Sequence, residues 1–197
     1  MKKLLLIVIL TLTFQPLTKG DEISDFQIEG MSIGDSLLDH MNENLIIKAK
    51  NNEFAFKYKN DFVSVSTWDI RDNFTIYDDV GVILDLNDKS YKIFGLEGSL
   101  YLDDEDIKKC HKKQNEISTD IKTTLNSNFE ENTYFIKKSR LPKHISSVKY
   151  IDFEFNDGSA IRVSCYEIIK GIEKNSNFHQ LYVVVNSSTF WKYLDNR

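Results

Sequence analysis

Two cysteines, two prolines and eight glycines in 197 residues are few enough to exclude several classes of chain at once. Collagen-like and other Gly/Pro repeats are ruled out, and so is a small disulfide-framework domain, which needs a much denser cysteine pattern. There is no C-x-x-C, no H-x-x-x-H and no comparable metal spacing, so neither a dithiol redox motif nor a zinc motif is present. No internal repeat, low-complexity tract or Pro/Gly/Ser-rich linker interrupts the chain, and beyond the N-terminus no apolar run approaches the roughly 20 residues of a membrane-spanning helix. Arginine is scarce as well: four of the 25 basic residues, against 30 acidic ones.

What is present begins at the N-terminus. Met1-Lys2-Lys3 is basic, residues 4–12 are almost wholly apolar, and Thr18 and Gly20 are small residues placed for a cut before Asp21. Residues 1–20 therefore read as a secretory signal peptide, without the cysteine of a lipoprotein cut. The expected mature protein is a soluble chain, periplasmic or secreted, and residues 21–197 are long enough for one domain. Removing Lys2, Lys3 and Lys19 leaves 22 basic against 30 acidic residues, a mature net charge of −8. Such a surface repels nucleic acid and anionic lipid headgroups, which leaves another envelope protein or a small ligand as the expected kind of partner. The lysine and asparagine bias is that of an AT-rich bacterial genome.

The periodicity alternates between strand and helix. Residues 25–29 read as a short strand, 31–34 as a turn and 35–41 as a brief helix with Leu37, Leu38 and Met41 on one face. A two-residue loop at Asn60-Asp61 would pair Phe54, Phe56 and Tyr58 with Thr67, Val65 and Val63 on one face of a hairpin. Residues 80–86 and 91–96 form a second hairpin around Asn87-Asp88-Lys89-Ser90, with Gly95 and Gly98 as candidate bends or bulges. A long helix spans 103–126, with Asp103 as N-cap, Asp106 completing a capping box and Leu102 stapling onto Ile107. Its stripe is Ile107, Cys110, Ile117, Ile121 and Leu125, with Gln114 the single polar interruption, while Lys108, Lys109, Lys112, Lys113 and Lys122 face water. Residues 181–185 form a last strand, and Ser187 or Ser188 caps a closing helix carrying Phe190, Trp191 and Leu194.

Asn156-Asp157-Gly158 permits a two-residue or a three-residue loop. Only the latter groups Ile151, Phe153 and Phe155 with Ile161, Val163 and Cys165, and it sets Asp152 opposite Arg162 on the outer face. Cys165 then points toward the layer that the buried stripe of the long helix would cover. Cys110 lies on that stripe, so a Cys110–Cys165 disulfide is expected in an oxidising compartment. The fold class is α+β, a single domain in which a twisted antiparallel sheet of hairpins is covered on one face by a long helix.

Site chemistry is sparse. His40, His111, His144 and His179 fall on separate elements, and Asp85, Asn87 and Lys89 begin like a calcium loop but put a lysine where a ligand is needed. No cofactor or metal is expected. Asn73-Phe74-Thr75 and Asn186-Ser187-Ser188 have the letters of glycosylation sequons, relevant only to a eukaryotic source. Gly34-Asp35-Ser36-Leu37 resembles the nucleophile block of GDSL-type esterases, a likeness that implies a serine hydrolase acting through Ser36. That family's G-x-N-D and D-x-x-H blocks are absent, so neither a general base nor an oxyanion donor accompanies Ser36. Ile28-Glu29-Gly30-Met31-Ser32 is similar to the opening of small outer-membrane assembly lipoproteins, over about a dozen residues and without the lipobox cysteine. The reading that best fits the residues is an exported, non-catalytic binding or interaction module. The alternatives are the Ser36 hydrolase and a structural or inhibitor-like domain without a pocket. Expression in a bacterial host with a secretion pathway should yield periplasmic protein starting at or near Asp21, and N-terminal sequencing that finds Met1 retained in the membrane fraction would refute the signal.

Overall fold

The computed structural model describes residues 23–102, 107–125, 129–169 and 179–195. The signal segment and the Asp103 and Asp106 caps lie outside the described residues. The chain opens with a 3-10 turn at Ile23–Asp25 and a two-stranded hairpin, β1 (Gln27–Ile28) and β2 (Met31–Ser32). The turn expected at 31–34 is strand at its start, because the reversal falls earlier, at Glu29 and Gly30. Both have positive φ, 50° and 78°, the signature of a two-residue hairpin loop. The Glu29 carboxylate then accepts the backbone N–H groups of Thr75, Ile76 and Tyr77 at 2.9, 2.7 and 2.8 Å, which ties the N-terminal hairpin to a loop 46 to 48 residues away. Burial opposes its charge, but those N–H groups hold it below the ordinary glutamate range. The helix expected at 35–41 is a single 3-10 turn, Leu37–Asp39, with Leu37 and Met41 buried and Leu38 exposed.

Eight strands form one antiparallel sheet, in the order β3-β4-β5-β6-β10-β9-β8-β7. The first four are β3 (Phe56–Tyr58), β4 (Phe62–Ser66), β5 (Asp79–Asp85) and β6 (Ile93–Leu102), preceded by helix α1 (Glu43–Lys50). The last four are β7 (Phe129–Lys137), β8 (Ile145–Phe155), β9 (Ala160–Ile168) and β10 (His179–Asn186), preceded by α2 (Ile107–Thr124). Each half is thus a helix followed by a four-stranded meander, and the two halves join through their final strands, β6 and β10. The sequence carries no repeat, yet the topology is duplicated. Both helices cover the same face: Ile46 and Ala49 of α1, with Cys110 and Ile121 of α2, share one core with Val63, Val82, Leu96, Val163 and Leu181. A third helix, α3 (Ser188–Asp195), caps the opposite face at one end, where Phe190 packs on Phe62 and Ile83.

Two elements were not visible in the pattern. Helix α1 starts at Asn42, whose side chain accepts the Leu45 N–H at 3.1 Å, and is too short for a clear stripe. Strand β7 is an edge strand whose residues are exposed or half-buried on both faces, so it lacks the period-two alternation that marks a packed strand.

The β3–β4 hairpin has a different register from the one expected. Phe56 pairs with Ser64 and Tyr58 with Phe62, around a three-residue loop with Lys59 in the left-handed region at φ 52°. This one-residue slip turns Phe56 and Tyr58 away from the helix-covered face. Tyr58 and Phe62 instead meet Phe190 of α3, each with ring centroids 5.1 Å apart, and Phe54 is left 82% exposed. Phe62 is the reason the pattern misled: β4 is apolar on both faces at its start. In the β5–β6 hairpin the register shifts between Ile83 and Leu84, opposite Gly95, and β6 runs on to Leu102 instead of ending near Leu96. A Cβ at Gly95 would lie 2.7 Å from Ile83 Cγ1, and one at Gly98 would lie 2.6 Å from the Tyr77 ring, so both positions require glycine.

The β8–β9 hairpin has the three-residue loop. Phe153 faces Ile161, Ile151 faces Val163 and Asp152 faces Arg162, with Gly158 at φ 83°. Helix α2 lies over this layer as expected, with Lys112, Lys113 and Lys122 on its water side. Gln114, fully buried in the stripe, donates through Nε2 to the carbonyls of Lys149 and Val163 at 2.9 and 2.8 Å, so the polar interruption bolts the helix to two strands. Cys110 and Cys165 face each other at disulfide distance with Cα atoms 6.0 Å apart, joining α2 to β9 across 55 residues. A loop of that length is worth about 4 kcal/mol in the chain-entropy estimate. Reduction should lower the melting temperature by about 10 °C, measured by calorimetry with and without reductant, and an unchanged melting temperature would refute that contribution.

Candidate functional site

Among the described residues, the face of the sheet turned away from α1 and α2 is open except where α3 crosses it, and it holds a cavity of about 430 Å³. Its floor is set by alternation along the central strands. Positions that point away from the core carry Ser164 and Val184, whereas Tyr58, Tyr166, Tyr182, Phe190 and Trp191 rise around them. Small residues at the middle of a twisted sheet and large ones at its rim leave a hollow.

One wall is cationic but already neutralised. The Arg162 guanidinium donates to both carboxylate oxygens of Asp152, from Nε and Nη2 at 2.7 Å each, and Asp152 is only 2% exposed. Burial works against that cation, but the bidentate pair keeps its pKa above the ordinary arginine value. The guanidinium is also sandwiched against the Tyr150 ring at 4.2 Å and the Trp191 ring at 5.1 Å. The cross-strand pair read from the sequence thus becomes the fixed side of the cavity.

The other wall is acidic. Glu97, on β6, stands opposite Val184 of β10 and Gly81 of β5. No cationic side chain pairs with it among the described residues, and its carboxyl is pushed above the ordinary glutamate range, first by burial and then by the neighbouring Asp79 charge. Tyr182 and Tyr166, whose rings meet edge to face at 5.2 Å, are shifted upward by burial and by the Glu97 charge. The Tyr182 hydroxyl donates to Gln180 Oε1 at 2.7 Å. Asn186, only 3% exposed and also lining the cavity, holds its Oδ1 without a partner among the described residues.

The residues singled out by the sequence lie elsewhere. Ser36 caps the 3-10 turn: its Oγ donates to the Ser90 carbonyl at 2.6 Å and accepts the Leu38 N–H at 3.3 Å, which commits the hydroxyl to backbone on both sides. Cys110 and Cys165 meet on the helix-covered face. The Asp85–Lys89 segment is a turn in which Asp85 and Asp88 accept the backbone N–H groups of Asn87 and Ser90. Two histidines that sequence spacing kept apart are brought to one carboxylate. Glu167 accepts hydroxyls from Ser147 and Ser146 at 2.6 and 3.0 Å, and its charge interacts with His179 and His111. Among the described residues no set of three His, Cys, Asp or Glu side chains could hold a metal ion. Asn186 is too buried to carry a glycan, whereas Asn73 is exposed.

Glu97, Tyr166, Tyr182 and Trp191 went unremarked as site residues because each sits at an outward position of its element, which reads as solvent unless something encloses that face. The signal available was the identity of those positions: aromatics and an acid where lysine or threonine would serve a wetted sheet. A half-buried carboxylate with no cation paired to it among the described residues destabilises the folded chain once it ionises. Because the folded-state pKa is raised, the penalty is absent below the ordinary carboxylate value and grows as pH rises through the folded value. Glu97→Gln should therefore raise the melting temperature near pH 7 and leave it unchanged near about pH 3.5. A variant less stable than wild type at neutral pH would show that Glu97 is paired.

Comparison with protein-family models, curated proteins and solved structures finds no match, so the use of this face is argued from its own residues.

Proposed function

We propose that the mature chain is an exported, non-catalytic binding module, periplasmic or secreted, and that it binds through the open face of its sheet. The observation that carries this reading is the cavity between α3 and strands β6, β10 and β9. Its volume lies in the range of small-ligand sites, and it combines aromatic walls with a few fixed polar groups. A purely structural domain has no need of that hollow, or of the cost of an unpaired Glu97 at its centre. No described helix is long and apolar enough to cross a membrane, and the Cys110–Cys165 pair is compatible with an oxidising compartment. The Ser36 hydroxyl, engaged with the Ser90 carbonyl and the Leu38 N–H, supports binding over turnover.

A fragment screen by NMR on isotopically labelled protein tests the reading. Hits should perturb the side-chain resonances of Tyr166, Tyr182 and Trp191 and leave Trp68 and Phe54 unmoved. Val184→Phe, which fills the floor with an aromatic ring, should abolish those hits while the protein still melts cooperatively. Fragments that perturb only surfaces outside the cavity, or none that perturb any residue, would overturn the proposal.

A further inference from the structure

The cavity's polar groups differ in what they still need. Arg162 has its charge met by Asp152 and lies against the rings of Tyr150 and Trp191. Gln180 accepts the Tyr182 hydroxyl. What remains is Glu97, a carboxylate without a cation, and Asn186 Oδ1, a buried carbonyl oxygen without a donor among the described residues. Both are acceptors. An anion brought here would meet the field of Glu97 and of Asp79 beside it, and a neutral apolar ligand would leave both acceptors unsatisfied at the cost that buried polar groups carry. The cavity is lined by the electron-rich rings of Tyr166, Tyr182 and Trp191, the last already against the Arg162 guanidinium, and such rings attract positive charge.

Resting on the binding reading above, we infer that the cavity takes a small organic cation, an ammonium or guanidinium group on an apolar stem, with its charge against Glu97 and its stem along Tyr166, Tyr182 and Trp191. The charge supplies the counter-ion that Glu97 lacks among the described residues, the N–H groups supply donors for Glu97 and Asn186, and the stem occupies the aromatic walls. Glu97 is faced by Asp79, Tyr101, Tyr166 and Tyr182 and shares the cavity with His144 and the Asp152-paired Arg162; binding should weaken as pH falls and Glu97 takes up a proton, with the midpoint above that of an ordinary glutamate.

The chain has two tryptophans, of which only Trp191 lines the cavity, so the full chain carrying Trp68→Phe reports on this site by its fluorescence. Three probes with one body and different charge separate the possibilities: phenethylamine, phenethyl alcohol and phenylacetate. Phenethylamine should give a saturable change at least about tenfold tighter than either of the others, and Glu97→Gln should remove about that factor while the protein remains folded. Equal or tighter binding of the alcohol or of phenylacetate would overturn the cation inference and leave the cavity a binding site. So would an amine affinity that Glu97→Gln does not change. No saturable change with any of the three also overturns it, and the fragment screen then decides the broader reading independently.

Discussion

The antiparallel seam between β6 and β10 is the interaction on which the architecture depends. It pairs His179 with Leu102 through to Asn186 with Gly95, eight consecutive positions, and it is where the two helix-plus-meander halves become one sheet. Because both partners are the last strand of their meander, the halves are disposed about this seam in a two-fold manner and both helices fall on the same side. Without it each half would be a four-stranded sheet with a long unpaired edge, a template for association with other chains. With it, the open edges are β3, three residues long, and β7, whose exposed positions include Glu130 and Glu131.

The seam also creates the cavity. The strands flanking it carry the residues that face each other across the hollow, with Glu97 on β6, Gln180, Tyr182 and Val184 on β10, and Arg162, Ser164 and Tyr166 on β9. The two faces of the sheet differ in their polar groups. On the helix side the buried polar groups include Gln114, bonded through Nε2 to two backbone carbonyls, while its Oε1, Ser118 Oγ and His179 Nε2 have no partner among the described residues. On the open side the half-buried Glu97 carboxylate is held at the centre with no counter-charge among the described residues, at a cost in stability that hydrophobic substitution could have removed. Natural folds tolerate such a conflict mainly where something binds.

The β8–β9 hairpin was readable residue by residue because only one loop length groups Ile151, Phe153 and Phe155 with Ile161, Val163 and Cys165. The α2 stripe and the Cys110–Cys165 juxtaposition followed from the same alternation. The β3–β4 hairpin was not readable, because Phe62 and Val63 are both buried and the pattern fits either face. Its register is decided by Phe190 of α3, about 130 residues downstream in the chain, and no local period carries that information. Strand β7 was missed for the opposite reason: an edge strand half-buried on both faces has no contrast between them.

By itself the sequence determined the class of the fold, the long amphipathic helix, the meander turns with left-handed glycine at 158 and the pairing of its two cysteines, all of which depend on periods and turn chemistry within a few residues. The tertiary structure alone decided the order of the strands, the duplication of the halves and the meaning of the outward positions. An outward-facing Glu97 or Tyr182 is a solvated side chain on an isolated strand. It becomes the wall of a site only when β10 is laid beside β6 and α3 crosses the same face, and those contacts join residues about 90 positions apart, beyond the reach of any local pattern.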